Sequence, residues 1–338
     1  MTVPARLAAV AVLAAAWLAG CTDKPTGIGA GPPPPKGAVL GLVAAASTEP
    51  GWEAIIPAFA DTEQGRDVKV RGSFGPSGAQ SRAVAEGKRA DLVGFATEPE
   101  VARLVTEGRV TPRWNAGVTR GLPFGSVVTM VVRPGNPRDI TDWEDLLRPG
   151  VGVVTAGPGE SGSATWNLLA VYAAGSDGGR DHKAGLDFVT RLVSGHLAGR
   201  PASADEAAEA FLRGAGDVLI TSENQAIRLR ERGEEVVYLT PARTLRIDYP
   251  VAVMNTSAEL RKAVELRNFL FTPQAQRIWA RAGFRPVDPA VAAEFAAGFP
   301  QPPVLWTVAG LGGWDSLYPA LFEPDNGAIS RIYRDAPR

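Results

Sequence analysis

The sequence predicts an α/β protein of two lobes, and three features of the chain support that prediction. Strand-like and helix-like runs alternate from Ala38 onwards with glycine-containing turns between them, as in a sheet built through right-handed crossovers. A long β-branched run at 126–136 interrupts the alternation, and further short strands and helices follow it. The length of 338 residues leaves room for two such units.

The composition is that of an ordinary globular protein. Hydrophobic residues make up 45% and charged residues 21% of the chain, and the net charge is −1 at pH 7. A chain so close to neutral carries no electrostatic signature of nucleic-acid binding or of a basic membrane-binding patch. Cys21 is the single cysteine, so disulfide and thiolate chemistry are excluded from the rest of the chain.

The amino-terminal segment, residues 1–21, resembles a bacterial lipoprotein signal peptide. Arg6 gives it a weakly basic start, the apolar run at 7–19 is short for a membrane span, and the tetrapeptide LAGC at 18–21 ends it. The resemblance implies cleavage before Cys21 and attachment of a lipid to its sulfur.

Residues 22–37 form a proline- and glycine-rich stretch without an apolar period. Such a stretch cannot bury a core and favours an extended, semi-stiff chain. We expect a tether that holds a folded region away from a membrane, outside the cytoplasm.

The first lobe begins with three predicted strands, at 38–46, 68–70 and 90–96. Ser47 or Thr48 is positioned to cap a helix after the first strand, with Pro50 in the first turn. A second helix is predicted within 73–87. Ligands of such sheets bind beyond the carboxyl ends of the strands.

The second lobe is predicted from strands that follow the interruption, and the chain then returns to the first lobe. The strands are expected at 126–136, 151–155, 216–224, 235–240 and 249–255. The run at 259–284 is strongly helical. These patterns assign residues 38–124 with 249–300 to the first lobe and 125–248 to the second, joined by crossing strands. Lobes connected in this way close over a ligand by hinge motion.

The turn that opens the helical run after Ser161 is suited to hold an anion. If Ser161 caps this helix, the first backbone amides, at Gly162 and Ser163, have no acceptor inside it. Gly162 lets a ligand approach the backbone closely, and the helix dipole favours negative charge. Ser77 and Ser47 stand at comparable helix starts after other strands, so several such starts are expected to face one cleft.

Long motifs with matching order and spacing connect the chain to one family. They are GPSG (75–78), FGSVVTMVVRPGNP (124–137), SGSATWNLLA (161–170), GDVLITSEN (216–224) and LGGWDSLYPALF (311–322). Over nearly all of residues 38–334 the chain resembles the periplasmic sulfate- and thiosulfate-binding proteins of ABC importers, most closely their lipid-anchored actinobacterial members. The resemblance implies the type II periplasmic-binding-protein fold, with residues 301–338 packed across the lobes. It also implies a monomer without cofactor or metal that delivers its ligand to an ABC permease.

The resemblance further implies how the anion is held, namely by neutral hydrogen-bond donors. Carried over by position, the amide donors fall at Ala46, Ser77, Gly162, Ser163 and Ala204, and the hydroxyl donors at Ser77 and Ser161. The family usually has tryptophan or another aromatic residue before a Glu-Asn pair, and Ser222 stands there in this chain. Its hydroxyl can donate but reaches less deeply than an indole. Ser222 is therefore a candidate contact, and the preference between sulfate, thiosulfate and a larger oxyanion stays open.

Two alternatives remain. The first is a binding protein for another oxyanion, such as molybdate or phosphate. A carboxylate of Glu160 or Asp205 that faced the cleft would accept the proton of hydrogen phosphate and so favour phosphate. Both side chains are expected to face solvent. The second is a serine hydrolase that uses Ser161. A hydrolase needs a base, and the two histidines, His182 and His196, lie in segments where triad histidines are not usually found.

Overall fold

The computed structural model describes residues 37–158 and 161–336. The expected signal peptide, the lipidation site Cys21 and most of the expected tether lie outside the described residues, as does Glu160. Within the described part, every helix is too short or too polar to cross a membrane.

Eleven strands make up the sheets of the described region. They are β1 (Ala38–Ala45), β2 (Val68–Gly75), β3 (Leu92–Gly94), β4 (Phe124–Val132), β5 (Val153–Val154), β6 (Val218–Ser222), β7 (Val237–Leu239), β8 (Arg243–Tyr249), β9 (Val251–Val253), β10 (Arg285–Pro286) and β11 (Val304–Trp306).

Twelve α-helices connect or cover these strands in the same region. They are α1 (Glu49–Ala60), α2 (Ser77–Ala85), α3 (Glu98–Thr106), α4 (Gly162–Gly175), α5 (His182–Gly195), α6 (Ala204–Leu212), α7 (Glu223–Glu231), α8 (Leu260–Phe269), α9 (Pro273–Arg281), α10 (Pro289–Glu294), α11 (Trp314–Leu317) and α12 (Ala328–Asp335). Short 3₁₀ segments at Ala46–Thr48, Trp143–Leu147 and Ala296–Gly298 and a π-helical turn at Tyr318–Phe322 complete the chain path.

The first sheet has the strand order β2-β1-β3-β9. β1 pairs in parallel with both β2 and β3, whereas β9 pairs antiparallel with β3. β1 is apolar on both faces because helices cover both of them: Leu42 packs in the core that includes Trp52 of α1, and Val43 packs in a separate core with Val84 of α2 and Val101 of α3. The parallel pairs place the carboxyl ends of β1, β2 and β3 at one edge of the sheet.

The second sheet has the strand order β11-β8-β4-β6-β5 and is organised around β4, every residue of which is buried. β8 pairs with the first half of β4 and β6 with the second half. The second part of β8 alternates, since Leu245, Ile247 and Tyr249 are buried and the polar residues between them, Arg246 and Asp248, are more exposed. This strand was not among the predicted ones.

Pro250 marks the return of the chain from the second sheet to the first. Tyr249 pairs with Phe124 in the second sheet, and Val251 pairs with Gly94 in the first. The prediction of one strand over 249–255 was therefore wrong, because proline has no N–H to continue a ladder. The helical run at 259–284 likewise divides into α8 and α9, since the hydroxyl of Thr272 accepts from the amide of Ala275 and starts a new helix.

An aromatic cluster packs around the places where the chain crosses between the sheets. The rings of Phe124 and Trp279 stack with centroids 3.7 Å apart, and Tyr249 stacks on Phe124 at 5.3 Å. Phe284 lies edge-on to Tyr249 and Trp279, and Trp52 of α1 lies edge-on to Trp279. All five side chains are buried, so the crossing segments are held against α1 and α9.

The carboxy-terminal segment contacts elements of both sheets. β11 pairs with β8, and α12 packs against α5. Trp314 of α11 lies edge-on to Trp166 of α4, while α11 also contacts α3 beside the first sheet. The lobe boundaries given above stay predictions, although the strands separate into two sheets near the predicted points.

We predict that Gly51→Ala destabilises the protein because the added Cβ would overlap the buried ring of Trp279. Overpacking of this kind costs about 1–3 kcal/mol. Gly195→Ala is the matched control, because a Cβ added to that helical glycine would meet open space. This change is expected to be neutral or stabilising by up to about 1 kcal/mol. Urea unfolding of both variants checks this, and equal midpoints would contradict it.

Candidate anion-binding site

A cavity of about 120 Å³ lies where helix starts from both sheets meet. Six of the residues expected to hold an anion line it, namely Ala46, Ser77, Ser161, Gly162, Ser163 and Ala204. The first two follow β1 and β2 of the first sheet, and the others precede or begin α4 and α6 beside the second sheet. The structure thus brings together segments that are distant in sequence, and the two lobes contribute jointly to one space.

The start of α2 leaves a backbone amide directed away from its own helix. Pro76 occupies the capping position and provides no side-chain cap, so the amide of Ser77 has no acceptor among the described residues. Proline before the first turn fixes an extended approach to the helix. The carbonyl of Pro76 accepts from Gln80, which closes the first turn behind the amide of Ser77.

The starts of α4 and α6 repeat this arrangement from the other sheet. Ser161 makes no cap to its own helix, and within the described chain the amides of Gly162 and Ser163 have no acceptor. Ser203 caps α6 by accepting from Glu206, which leaves the amide of Ala204 without a partner in the described part. Each helix directs the positive end of its dipole towards the cavity.

Gly162 permits a close approach between α4 and residues beside the first sheet. A Cβ at this position would overlap Ala96 and would stand 3.3 Å from Oε1 of Glu100 and 3.5 Å from the Cβ of Ser77. Beside it, the indole N–H of Trp166 donates to the carbonyl of Ala96 over 2.7 Å. Glycine at 162 is therefore required for α4 to pack against the residues that follow β3.

Ser77 and Glu100 form a buried hydrogen-bonded pair directly behind the cavity. The Ser77 hydroxyl donates to Oε2 of Glu100 over 2.7 Å and accepts from the amide of Ala96 over 2.8 Å. The amide of Thr97 also donates to Oε2 of Glu100, over 2.8 Å. Burial raises the pKa of the Glu100 carboxyl, and the hydrogen bonds from Ser77 and Thr97 and the charge of Arg103 offset only part of that effect.

Glu100 is a residue that the sequence reasoning missed. Thr97 and Glu100 form a capping box at the start of α3, and that four-residue signature is readable in the sequence. The signature predicts the helix start but not the burial of the carboxyl beneath Ser77. Since the Ser77 hydroxyl already donates to Glu100, its amide is the donor of this residue that remains for a ligand.

Asp205, the charged residue among the described ones that line the cavity, is paired with a cation outside it. Asp205 lines the cavity, but its side chain is 56% exposed and lies 3.5 Å from the guanidinium of Arg228. Gln225 also donates to Asp205, over 3.3 Å. No residue that lines the cavity within the described chain is cationic, so the donors available to a ligand are neutral.

Ser222 is not among the residues that line the cavity, and its role as a ligand contact stays a prediction. It ends β6, is buried and precedes α7, where it makes no side-chain cap. Its hydroxyl and that of Ser47 lie beside Tyr249, whose pKa burial raises to about 12.

Both histidines of the chain lie among the described residues, and each is placed away from Ser161. Nδ1 of His182 lies 2.8 Å from the Tyr172 hydroxyl, and Nδ1 of His196 lies 3.0 Å from the carbonyl of Val151. Neither histidine lines the cavity. Within the described residues, no group of three or more histidine, cysteine or acidic side chains is placed to hold a metal ion.

Comparison with known proteins identifies the family. Residues 40–285 match the family described as bacterial extracellular solute-binding protein. The chain belongs to this family. A sulfate-binding protein of Synechococcus elongatus is 37% identical over 300 residues, which cover 86% of this chain and 85% of that protein. A thiosulfate-binding protein of Pseudomonas aeruginosa is 30% identical over 282 residues, which cover 80% of this chain and 84% of that one.

A solved structure is also similar, that of the sulfate-binding protein SubI from Mycobacterium tuberculosis H37Rv. It is 57% identical, has a TM-score of 0.82 and covers 85% of this chain and 100% of its own. More distant structures share the fold alone, such as the periplasmic binding protein AfuA from Actinobacillus pleuropneumoniae at 18% identity and a TM-score of 0.61. The predicted fold class, a two-lobed α/β binding-protein fold of type II, is confirmed. These relatives are named as binding proteins, which supports a solute-binding role for this chain and argues against the hydrolase alternative.

We predict that Glu100→Gln increases the free energy of unfolding, and that the increase grows with pH. The folded protein holds the Glu100 proton more tightly than the unfolded chain does, so wild-type stability falls as pH rises above about 4.5 towards the raised pKa. The glutamine variant lacks this titration. Glu107→Gln, at the exposed end of the same helix, is the control. Thermal unfolding across the pH range measures the difference, and a gap that does not change with pH would contradict the prediction.

Proposed function

We propose that this protein captures a fully ionised tetrahedral oxyanion, sulfate or thiosulfate, in the cavity between its lobes and delivers it to an ABC permease. The observation that supports the proposal most directly is the meeting of helix starts from both sheets in one small cavity. The names of the relatives supply the ligand class. Sulfate is the first expectation because the relatives with higher identity are named for it.

The energetics of such a site favour a dianion without any cationic side chain. Each hydrogen bond from the protein to a charged ligand contributes about 1.5–3 kcal/mol net. The unpartnered amides of Ser77, Gly162, Ser163 and Ala204 are fixed by their helices, so they need little reorganisation on binding. Several such bonds together with the helix dipoles offset much of the cost of dehydrating the anion.

Selectivity for sulfate over hydrogen phosphate follows because backbone amides donate hydrogen bonds but cannot accept them. Sulfate carries no proton at neutral pH, so a lining of donors satisfies all its oxygens. Hydrogen phosphate brings a proton that needs an acceptor, and a donor that faces it loses a hydrogen bond. Asp205 is the lining side chain that would accept such a proton, and its pairing with Arg228 and Gln225 draws its carboxylate away from that role.

Delivery to a permease and the lipid anchor at Cys21 belong to the same proposal. The anchor and tether would keep the binding protein near its permease on the outer face of the membrane, which raises the effective concentration of one for the other. Metabolic labelling with a radioactive fatty acid, in wild type and Cys21→Ser, tests the anchor. Label in the wild type but not in the variant supports it.

We predict that Ala204→Pro weakens sulfate binding by roughly tenfold to hundredfold, the equivalent of one charge-assisted hydrogen bond. Ala204 is the first residue of α6 and follows an extended Ser203, so proline is tolerated there while the amide donor is removed. Isothermal titration calorimetry with sulfate and thiosulfate measures the affinity.

The matched control is Ala328→Pro, at the first residue of α12 and outside the cavity. It is expected to bind like wild type. If Ala204→Pro binds as tightly as this control, the amide of Ala204 does not contact the anion. If neither anion is bound but molybdate or phosphate is, the ligand assignment is wrong while the binding role stands.

A further inference from the structure

Glu100 places a buried carboxyl immediately behind the proposed anion site. The residue is 6% exposed, and its Oε2 accepts hydrogen bonds from the Ser77 hydroxyl and the Thr97 amide. Its Oε1 lies against Gly162, at 3.3 Å from the position that a Cβ there would occupy. The carboxyl is therefore in contact with the first residues of α2 and α4, and these residues separate it from the cavity.

The hydrogen bonds of Ser77 depend on the protonation state of Glu100. The Ser77 hydroxyl has one hydrogen and two lone pairs, and one lone pair already accepts from the amide of Ala96. With an ionised Glu100, the hydrogen must point to the carboxylate, and only a lone pair is left to face the cavity. A lone pair opposite a proton-free anion is repulsive.

A proton on Glu100 reverses this arrangement. An O–H at Oε2 can donate to Ser77 while a lone pair of the same oxygen still accepts from the Thr97 amide. The Ser77 oxygen then accepts two hydrogen bonds and is free to donate its own hydrogen towards the cavity. No other group has to move, because the three heavy atoms already lie at hydrogen-bonding distances.

We propose that binding of the oxyanion is coupled to uptake of one proton by Glu100, which turns the Ser77 hydroxyl into a donor to the anion. This inference rests on the proposed function. The proton comes from solvent and stays on the carboxyl, so the complex gains the charge of the anion and loses that of Glu100. Glu100 is thus a positioning residue, acting through Ser77 rather than on the ligand.

The charges around Glu100 favour this coupling. Burial raises its pKa in the free protein, and a dianion a few ångströms away would raise the pKa further. Arg103 on the same helix, whose guanidinium donates to the Ser81 hydroxyl over 2.9 Å, lowers this pKa, but burial is the larger effect. Among the described residues, the remaining titratable groups that line a neighbouring pocket of about 230 Å³ beside the carboxyl are Arg82, Tyr318, Tyr333 and Arg334.

The coupling has a defined sign. Between the pKa of Glu100 in the free protein and its higher value in the complex, binding takes up protons, so sulfate affinity falls by up to about tenfold for each unit of rising pH. Below both values the carboxyl is already protonated and affinity no longer changes. Sulfate itself does not titrate in this range, so the protein is the source of the dependence.

Calorimetric titration with sulfate in two buffers of different ionisation enthalpy measures proton uptake directly, at a series of pH values rising from the unperturbed carboxyl value of 4.5. The wild type is expected to take up as much as one proton per anion at pH values that lie between the pKa of Glu100 in the free protein and its higher pKa in the complex. In Glu100→Gln the amide oxygen can accept the same two hydrogen bonds without a titratable proton, so the Ser77 hydrogen stays directed at residue 100. The variant should therefore bind sulfate with no proton uptake and a flat pH profile, more weakly than the wild type at low pH. Glu107→Gln, exposed at the end of α3, should retain the uptake of the wild type.

The possible outcomes separate this inference from the proposed function. Sulfate binding by the wild type without proton uptake at any pH overturns the coupling and leaves the proposed function standing. Uptake that persists in Glu100→Gln overturns the assignment to Glu100. Absence of heat with both sulfate and thiosulfate overturns the proposed function and the inference with it.

Discussion

The first amides of an α-helix have no acceptor in their own helix, and this constraint explains how the cavity is built. A helix start that faces solvent satisfies these amides with water. Four residues whose amides have no acceptor in the described chain line one small cavity instead, namely Ser77, Gly162, Ser163 and Ala204. A bound anion is a partner that can satisfy several of them at once. Capping by side chains would remove this capacity, and α2 and α4 make no side-chain cap.

The same geometry requires that two separate sheets hold their helix starts at fixed positions. Leu42 and Val43 anchor β1 between two apolar layers, so the turns after β1 and β2 have a rigid base. β4 does the same for the second sheet, because it is buried throughout and pairs with strands on both sides. The aromatic cluster around Phe124 and Tyr249 then packs the crossing segments.

A buried ion pair adds to that packing at the start of α7. Glu223 is fully buried and accepts two hydrogen bonds from the guanidinium of Arg285 on β10, at 2.6 and 2.8 Å. Removing one partner of such a pair leaves an unpaired buried charge, which commonly costs about 3–5 kcal/mol. The pair joins α7 to β10, and β10 pairs with the first residues of β4. It therefore stabilises the crossing region rather than the cavity.

The sequence predicted the two-sheet organisation and the cavity segments because both depend on local patterns. Apolar strands followed by Ser-Gly helix starts are visible at Ser77 and Ser161, and the order of a known family gave Ala204. The break at Pro250 and the alternating strand β8 were missed. The end of β8, the crossing to the first sheet and the start of β9 lie within a few residues of each other, so the chain there looks like one strand. Glu100 could not be found in this way, since its role comes from the tertiary packing of α3 under α2.

Two arginine side chains, Arg228 and Arg103, lie outside the lining of the cavity, and this affects how such a protein releases its ligand. Arg228 is paired with Asp205, and Arg103 donates to Ser81, so neither offers a charged contact to a bound anion. An anion held by amides from two lobes loses part of its donors when the lobes separate. A direct guanidinium contact would stay with one lobe and retain the anion after opening. A lining of neutral donors divided between lobes therefore combines tight capture in the closed state with release in the open one, which is the physical requirement for a protein that passes its ligand on.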